Sequence, residues 1–157
     1  MARWADLERE APQVAEGGRK LIYQYGPGLG YLATVRKDGG LRMHPFCPVV
    51  TGGGIYGLIA SNSPKHGDLR RDGRYAFHAF AMTDRDDEFM LAGTARTVTD
   101  DAEIADVSRV YHEAGATSSG NETTFELLID RALLSLYNPR ESGLPLWPPQ
   151  YLKWRPS

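Results

Sequence analysis

Apolar and polar residues alternate along the first half of the chain with the two-residue period of β-strands. Gly30 to Lys37 follows this pattern, Asp38-Gly39-Gly40 is typical of a tight turn, and Leu41 to Val50 is suited to be the antiparallel partner. Gly52 to Gly54 indicates a second reversal, and Ile55 to Ala60 is short and apolar enough for a central strand. The pattern therefore predicts a hairpin followed by a buried strand.

Three later segments complete the predicted sheet. Arg74 to Met82 and Glu88 to Val98 alternate on either side of the acidic turn Asp84 to Asp87. Phe125 to Tyr137 suits a buried strand or a buried helix equally well by periodicity, and we predict a strand. Because the connections between strands are short, the sheet must be largely antiparallel. We expect a mainly β fold with a few short helices, in which six to seven strands close into a small barrel.

Both ends of the chain differ from this strand-rich middle. Residues 1–23 have apolar positions at helical spacing, interrupted at Pro12 and at Gly17-Gly18, which predicts one or two short helices. Residues 144–157 form a C-terminal arm, and its three prolines and two tryptophans between Leu144 and Trp154 favour an extended conformation. We expect all of residues 1–157 to form a single domain.

Two internal helices have recognisable ends. Ser63-Pro64 provides an N-cap and a proline at the first helical position, and Gly73 follows the predicted end. Asp100 and Glu103 form a capping-box pattern at the start of a second helix.

Charge and cysteine content exclude several classes of function. The formal net charge of −2 gives no electrostatic reason to bind nucleic acid. The single cysteine, Cys47, excludes an internal disulfide framework and a cysteine-rich zinc site, so no metal site is predicted. The acidic N-terminus is typical of neither a signal peptide nor a membrane anchor, and we expect a cytoplasmic protein without a membrane partner.

The segment Ser61-Asn62-Ser63-Pro64-Lys65 is a candidate phosphate site. It leaves a predicted strand and enters a helix N-terminus, where backbone N–H groups and the helix dipole attract anions. The alternative is that Ser63 only caps the helix and that Lys65 is solvated. Neither a P-loop nor a dinucleotide-binding glycine motif is present.

A second candidate lies on the strand Leu41-Arg42-Met43-His44-Pro45. Arg42 and His44 are two residues apart and would point to the same side of the strand. The alternatives are a surface arginine and a histidine that is hydrogen-bonded inside the barrel.

Taken together, three segments resemble one known family. They are Tyr31 to Pro45, Ser61 to Ala76 and Asp87 to Ala95, and in this order they are similar to the pyridoxamine 5'-phosphate oxidase-like, FMN-binding split-barrel proteins. Within that family the chain looks like the general-stress and flavin/deazaflavin oxidoreductases. The resemblance implies a split β-barrel, a homodimer, and FMN in a groove between the subunits.

The resemblance also implies which residues contact the cofactor. The strand residues Arg42, Met43, His44 and Pro45 would run beneath the ring and ribityl chain. The phosphate end would be held by Ser61, Asn62, Ser63 and Lys65. Glu88 stands where the family usually has a glutamine that reaches the ring, and Trp154 is the predicted contact from the C-terminal arm, which we expect to lie over a neighbouring subunit.

The chain departs from the true pyridoxamine-phosphate oxidases at three places. Pro64 and Cys47 stand where those enzymes have basic residues, and the C-terminus lacks their arginine and histidine signature. Pyridoxamine phosphate is therefore not the expected substrate.

Three functions follow from this resemblance. The first is an FMN-dependent oxidoreductase that exchanges a hydride with a small organic substrate. The second is the same chemistry with the deazaflavin F420. The third is a non-enzymatic carrier of flavin or haem, with His44, His66, His78 and His112 as possible axial ligands. No residue stands out as a catalytic acid or base.

Overall fold

The computed structural model describes residues 1–157, and most of them form one antiparallel sheet. The eight strands are β1 (Gly30–Val35), β2 (Leu41–Phe46), β3 (Val49–Thr51), β4 (Gly54–Ala60), β5 (Arg74–Ala79), β6 (Glu88–Thr97), β7 (Glu122–Leu136) and β8 (Gln150–Trp154). The four α-helices are α1 (Trp4–Glu10), α2 (Pro12–Ile22), α3 (Pro64–Arg71) and α4 (Asp101–Glu113). None of these helices is long and apolar enough to cross a membrane.

The sheet has the order β2-β1-β5-β6-β7-β4-β3. Strand β4 pairs with the N-terminal part of the long strand β7, and β8 pairs with its C-terminal part. Strands β2 and β3 lie at opposite ends of this order, yet only Cys47 and Pro48 separate them in the chain. The sheet must therefore curl until its two ends meet. Phe46 at the end of β2 packs on the backbone of Gly57 in β4, which joins those ends. The expected mainly β, antiparallel split barrel is confirmed.

The strand count is higher than the six to seven expected, for two reasons. The segment Leu41 to Val50 is divided into β2 and β3 because Pro48 offers no N–H for a continuous ladder. The C-terminal residues Gln150–Trp154 add a further strand, β8, which pairs with the chain's own β7. Contact of the C-terminal arm with a neighbouring subunit stays a prediction.

Side chains alternate between two faces of the sheet. The inner face holds a row of apolar residues, Leu32, Phe77, Leu91, Ala132 and Trp154, each opposite the next on neighbouring strands. We call the opposite side the outer face. Pro45 is tolerated within β2 because this strand is at the edge of the sheet.

Helices α1 and α2 cover the inner face, with Trp4 and Ile22 fully buried in the main core. The predicted helix break at Gly17-Gly18 is wrong, since both residues lie within α2. A Cβ on Gly18 would overlap the ring of Phe89, and one on Gly17 would overlap Leu134. The two glycines therefore allow α2 to approach the sheet closely, and this tertiary packing outweighs their low helix propensity.

Candidate functional site

The predicted phosphate segment lies where β4 ends and α3 begins. Ser63 is the N-cap residue of α3 and Pro64 occupies the first turn. The Ser63 side chain makes no capping hydrogen bond, and its Oγ is buried without any partner. Ser63 thus occupies the N-cap position, but its hydroxyl does not perform the capping that the alternative assigns to it.

Lys65 is the second residue of the same helix and is partly buried. It forms no ion pair, and burial lowers the pKa of its amine below the usual lysine value. A buried, unpaired ammonium is costly in the absence of an anion. The alternative of a fully solvated Lys65 does not describe this side chain.

Arg42 and His44 share the inner side of β2, as predicted. Arg42 donates from Nε to Asp68 Oδ2 at 2.8 Å, and Asp68 is only 4% exposed. Thr34 donates to the same oxygen at 2.9 Å, and Arg71 lies 3.3 Å from the other. Burial opposes the charge of Asp68, but these donors outweigh it and keep the pKa of Asp68 below its usual range. Arg42 therefore shares the single negative charge of Asp68 with Arg71, and its own charge is only partly offset.

His44 Nε2 is the second buried polar atom in this region without a partner. Burial lowers the pKa of His44, and the charges of Lys65 and Arg42 lower it further. Burial also raises the pKa of the Cys47 thiol, an effect that the charge of Lys65 partly offsets. The charge of Lys65 thus acts on both His44 and Cys47, and Ser63 lies two residues before Lys65 at the start of α3. We call His44, Cys47, Ser63 and Lys65 the Lys65 cluster.

Ser61 and Asn62 are exposed at the edge of this cluster. The Ser61 hydroxyl donates to Asn121 Oδ1 at 2.7 Å, and the Ser61 N–H donates to the Asn121 carbonyl at 2.8 Å. These bonds fix the turn after β4. A ligand contact from Ser61 would have to compete with Asn121.

Met43, Pro45 and Glu88 lie on the outer face, on the other side of the sheet from Arg42 and His44. Glu88 begins β6, and its Oε1 is 3.7 Å from Nε2 of His78. The structure thus divides the predicted contacts between the two faces of the sheet instead of grouping them in one pocket.

Trp154 is separate from both groups. It lies on the inner face, 7% exposed, and its indole N–H donates to Glu10 Oε2 at 3.0 Å. Along the sheet it is five strand positions from His44. Within one chain the structure does not bring Trp154 to the Lys65 cluster.

Sequence reasoning missed Asp68, which determines how much charge Arg42 has left for a ligand. One signal was available, because Asp68 and Arg71 have the i, i+3 spacing of a helical ion pair. The pairing with Arg42 across the barrel has no local signal.

The chain is similar to known proteins in its structure and not in its sequence. No family model and no curated protein matches the sequence. The heme binding protein from Mycobacterium smegmatis has a similar structure, with a TM-score of 0.67, 14% identity and 88% of this chain covered. The chain spans 57% of the length of that protein.

Two solved structures match over more of their own length. A putative pyridoxamine 5'-phosphate oxidase from Listeria innocua aligns with a TM-score of 0.61 and 13% identity, over 74% of this chain and 93% of that one. A Clostridium acetobutylicum protein related to general stress protein 26 aligns with a TM-score of 0.62 and 10% identity, over 92% and 94%. With its curled antiparallel sheet, the chain has the split-barrel fold of the pyridoxamine 5'-phosphate oxidase-like proteins.

Proposed function

We propose that the Lys65 cluster binds the phosphate of an FMN cofactor. The observation that carries this proposal is the coincidence of three unsatisfied groups in one place. Ser63 Oγ and His44 Nε2 are buried without partners, and Lys65 is a partly buried cation without a counter-ion. Unsatisfied buried polar groups are rare in folded proteins and call for a missing partner.

A phosphate group matches what these residues lack. Its oxygens accept hydrogen bonds from the Ser63 hydroxyl and the Lys65 ammonium, and its negative charge offsets the cost of burying that ammonium. His44 Nε2 adds a donor when the ring proton is on that nitrogen. Pro64 lacks an N–H and Cys47 is neutral, so the site has fewer donors than a P-loop and depends strongly on Lys65.

The flavin ring would lie on the outer face, against Met43 and Pro45 of the edge strand β2 and directed towards Glu88 at the start of β6. When bound, FMN supplies hydride exchange with an organic substrate, and the chain's part is to hold and orient the ring. F420 is the alternative cofactor for the same oxidoreductase function. Glu88 would be a carboxylate on the ring's side of the sheet, and no general acid or base is assigned.

We also propose that the active form is a homodimer. Several large apolar side chains are exposed in two patches, one on the outer side of β1 and β2 and one in the loop before β8. They are Leu41, Met43 and Tyr31 in the first patch, and Leu144, Leu146 and Trp147 in the second. A second copy that covered them would remove apolar surface from water. Sedimentation of the purified protein at micromolar concentration tests this, and a monomer would contradict it.

The phosphate proposal is tested by comparing FMN with riboflavin, which lacks the phosphate. Lys65→Ala should weaken FMN binding by roughly 1.5 to 3 kcal/mol and leave riboflavin binding almost unchanged. Lys37→Ala removes an exposed lysine in the β1–β2 turn and serves as the matched control. Equal losses for FMN and riboflavin would show that Lys65 supports the fold or the ring instead.

Haem binding is a second candidate, and one observation favours it. Among the four histidines, only His44 has a buried ring nitrogen without a partner, whereas His66 is bonded to Thr123 and His112 to Ser118. Titration with haemin, followed by the Soret band, tests this candidate. If haem is the ligand, His44→Ala should abolish the shift of that band and His112→Ala should not.

A further inference from the structure

A groove of about 520 Å³ crosses the outer face of the sheet from β5 to β8. Its floor is apolar and includes Ala76, Ala92, Met90 and Leu133. The alanines lie opposite each other on β5 and β6, so their short side chains leave a trough between larger neighbours. The Lys65 cluster lies at the other end of the sheet, around β2 and α3, and does not line this groove.

Three basic side chains border the same groove: Arg131 on β7, Lys153 on β8 and Arg155 just beyond β8. None of them forms an ion pair, although most other arginines of the chain do. The whole chain has a net charge of −2, so this local excess of positive charge does not reflect the average composition.

A β-bulge explains why Arg131 faces the groove. The register between β6 and β7 shifts at Ala92/Gly93, so that Ala92 pairs with Arg131 and Gly93 with Ile129. The extra residue, Asp130, keeps Arg131 on the outer face while Ile129 and Ala132 remain buried. Bulges commonly redirect side chains next to functional sites.

We infer that this groove, which we call the cationic groove, binds a small amphipathic anion. An apolar body would lie on the alanine floor, and a carboxylate, sulfonate or phosphate would contact Arg131, Lys153 and Arg155. An apolar pocket with a few convergent polar groups is the usual form of a small-molecule site. This inference does not depend on FMN binding at Lys65.

The test uses 1-anilinonaphthalene-8-sulfonate, an aromatic sulfonate whose fluorescence rises in apolar surroundings. N-phenyl-1-naphthylamine has a similar aromatic body without the charge and serves as the neutral probe. Two triple variants are compared with the wild type: Arg131→Gln/Lys153→Gln/Arg155→Gln in the groove, and Lys20→Gln/Lys37→Gln/Arg70→Gln at exposed, unpaired cations elsewhere. Both variants lose three positive charges, and cooperative urea unfolding verifies that each is folded.

The groove variant should bind the sulfonate about tenfold more weakly, since exposed ion pairs contribute modestly and three of them act together. The control variant should stay within about twofold of the wild type. Binding of the neutral probe should not distinguish the three proteins. Ala92→Phe, which fills the trough, should weaken both probes.

Three outcomes would overturn the inference. The first is the absence of saturable, stoichiometric sulfonate binding to the wild type. The second is an equal loss of affinity in the two triple variants, which would mean that only overall charge matters. The third is one-for-one displacement of the sulfonate by FMN, which would assign the groove to the cofactor. A failure at Lys65 alone, with these results as expected, would leave the groove intact and refute only the phosphate proposal.

Discussion

The carboxylate of Glu126 is completely buried, and it is held by two arginines, Arg3 near the N-terminus and Arg96 on β6. Arg3 Nε donates to Oε1 at 2.6 Å, and Arg96 Nε donates to Oε2 at 2.7 Å. Arg3 Nη2 also donates to the hydroxyl of Tyr56 in β4 at 2.7 Å, which is a further contact between the N-terminal residues and the sheet. We predict that Arg3→Ala and Arg96→Ala each destabilise the fold moderately, and that the double variant is destabilised by more than their sum.

The expected losses in the free energy of unfolding depend on the burial of each side chain and on the number of cations that remain beside Glu126. A hydrogen bond to a charged group contributes about 1.5 to 3 kcal/mol, and the Arg3 and Arg96 side chains are 42% and 47% exposed, so solvent reduces this to about 1 to 2 kcal/mol each. Each single variant leaves Glu126 one cation. The double variant leaves a buried, unpaired carboxylate, and breaking a buried pair in this way costs about 3 to 5 kcal/mol beyond the first loss.

Urea unfolding at neutral pH measures all four proteins in one double-mutant cycle. Arg9→Ala is the control, because Arg9 is 64% exposed and pairs only with surface carboxylates, so its loss should cost less than about 0.5 kcal/mol. Strict additivity in the cycle would refute the argument, since it would mean that Glu126 does not depend on having at least one cation. An Arg3→Ala effect as small as that of Arg9→Ala would refute it as well.

Three further predictions concern packing and the proposed cofactor site. Gly18→Ala should destabilise the fold by more than about 1 kcal/mol because the new methyl group overlaps Phe89. Gly67→Ala, in the open middle of α3, should stabilise it by about 0.5 to 1 kcal/mol. Thermal unfolding compares the two variants, and a change of stability in the same direction for both would contradict the packing argument. The proposed phosphate contact requires protonated Lys65, and burial lowers the pKa of this amine. FMN affinity should therefore fall as pH rises through that lowered pKa, before an ordinary lysine titrates, while riboflavin affinity stays constant. Fluorescence titrations over about pH 7 to 10 measure this. Glu88→Gln should raise the reduction potential of bound flavin by removing a negative charge near the ring, and an unchanged potential would place Glu88 away from the cofactor.

Local patterns in the sequence were enough to predict most of the secondary structure. The alternation in β1, β5 and β6 reflects one buried face per strand, and the turn at Gly39 needs the positive φ that glycine provides. The start of α3 at Pro64 was also predictable from local sequence, because a proline in the first turn affects only the backbone of neighbouring residues. Arg42 and His44 share a face, as the strand period requires.

Long-range contacts determined what the sequence could not predict. Gly17 and Gly18 remain helical because α2 packs closely against the sheet. At this close approach Leu134 and Phe89 leave no room for a Cβ, and both residues are distant in the sequence, by more than a hundred and about seventy positions. Whether Ser63 caps a helix or faces a ligand depends on the orientation of its side chain within the folded barrel. Likewise, the contact of Asp68 with Arg42 and the pairing of β8 with β7 join segments that are separated in the sequence. Strand period and turn chemistry act over a few residues and can be read locally, whereas burial, unsatisfied polar atoms and convergent charges exist only once distant segments are packed together.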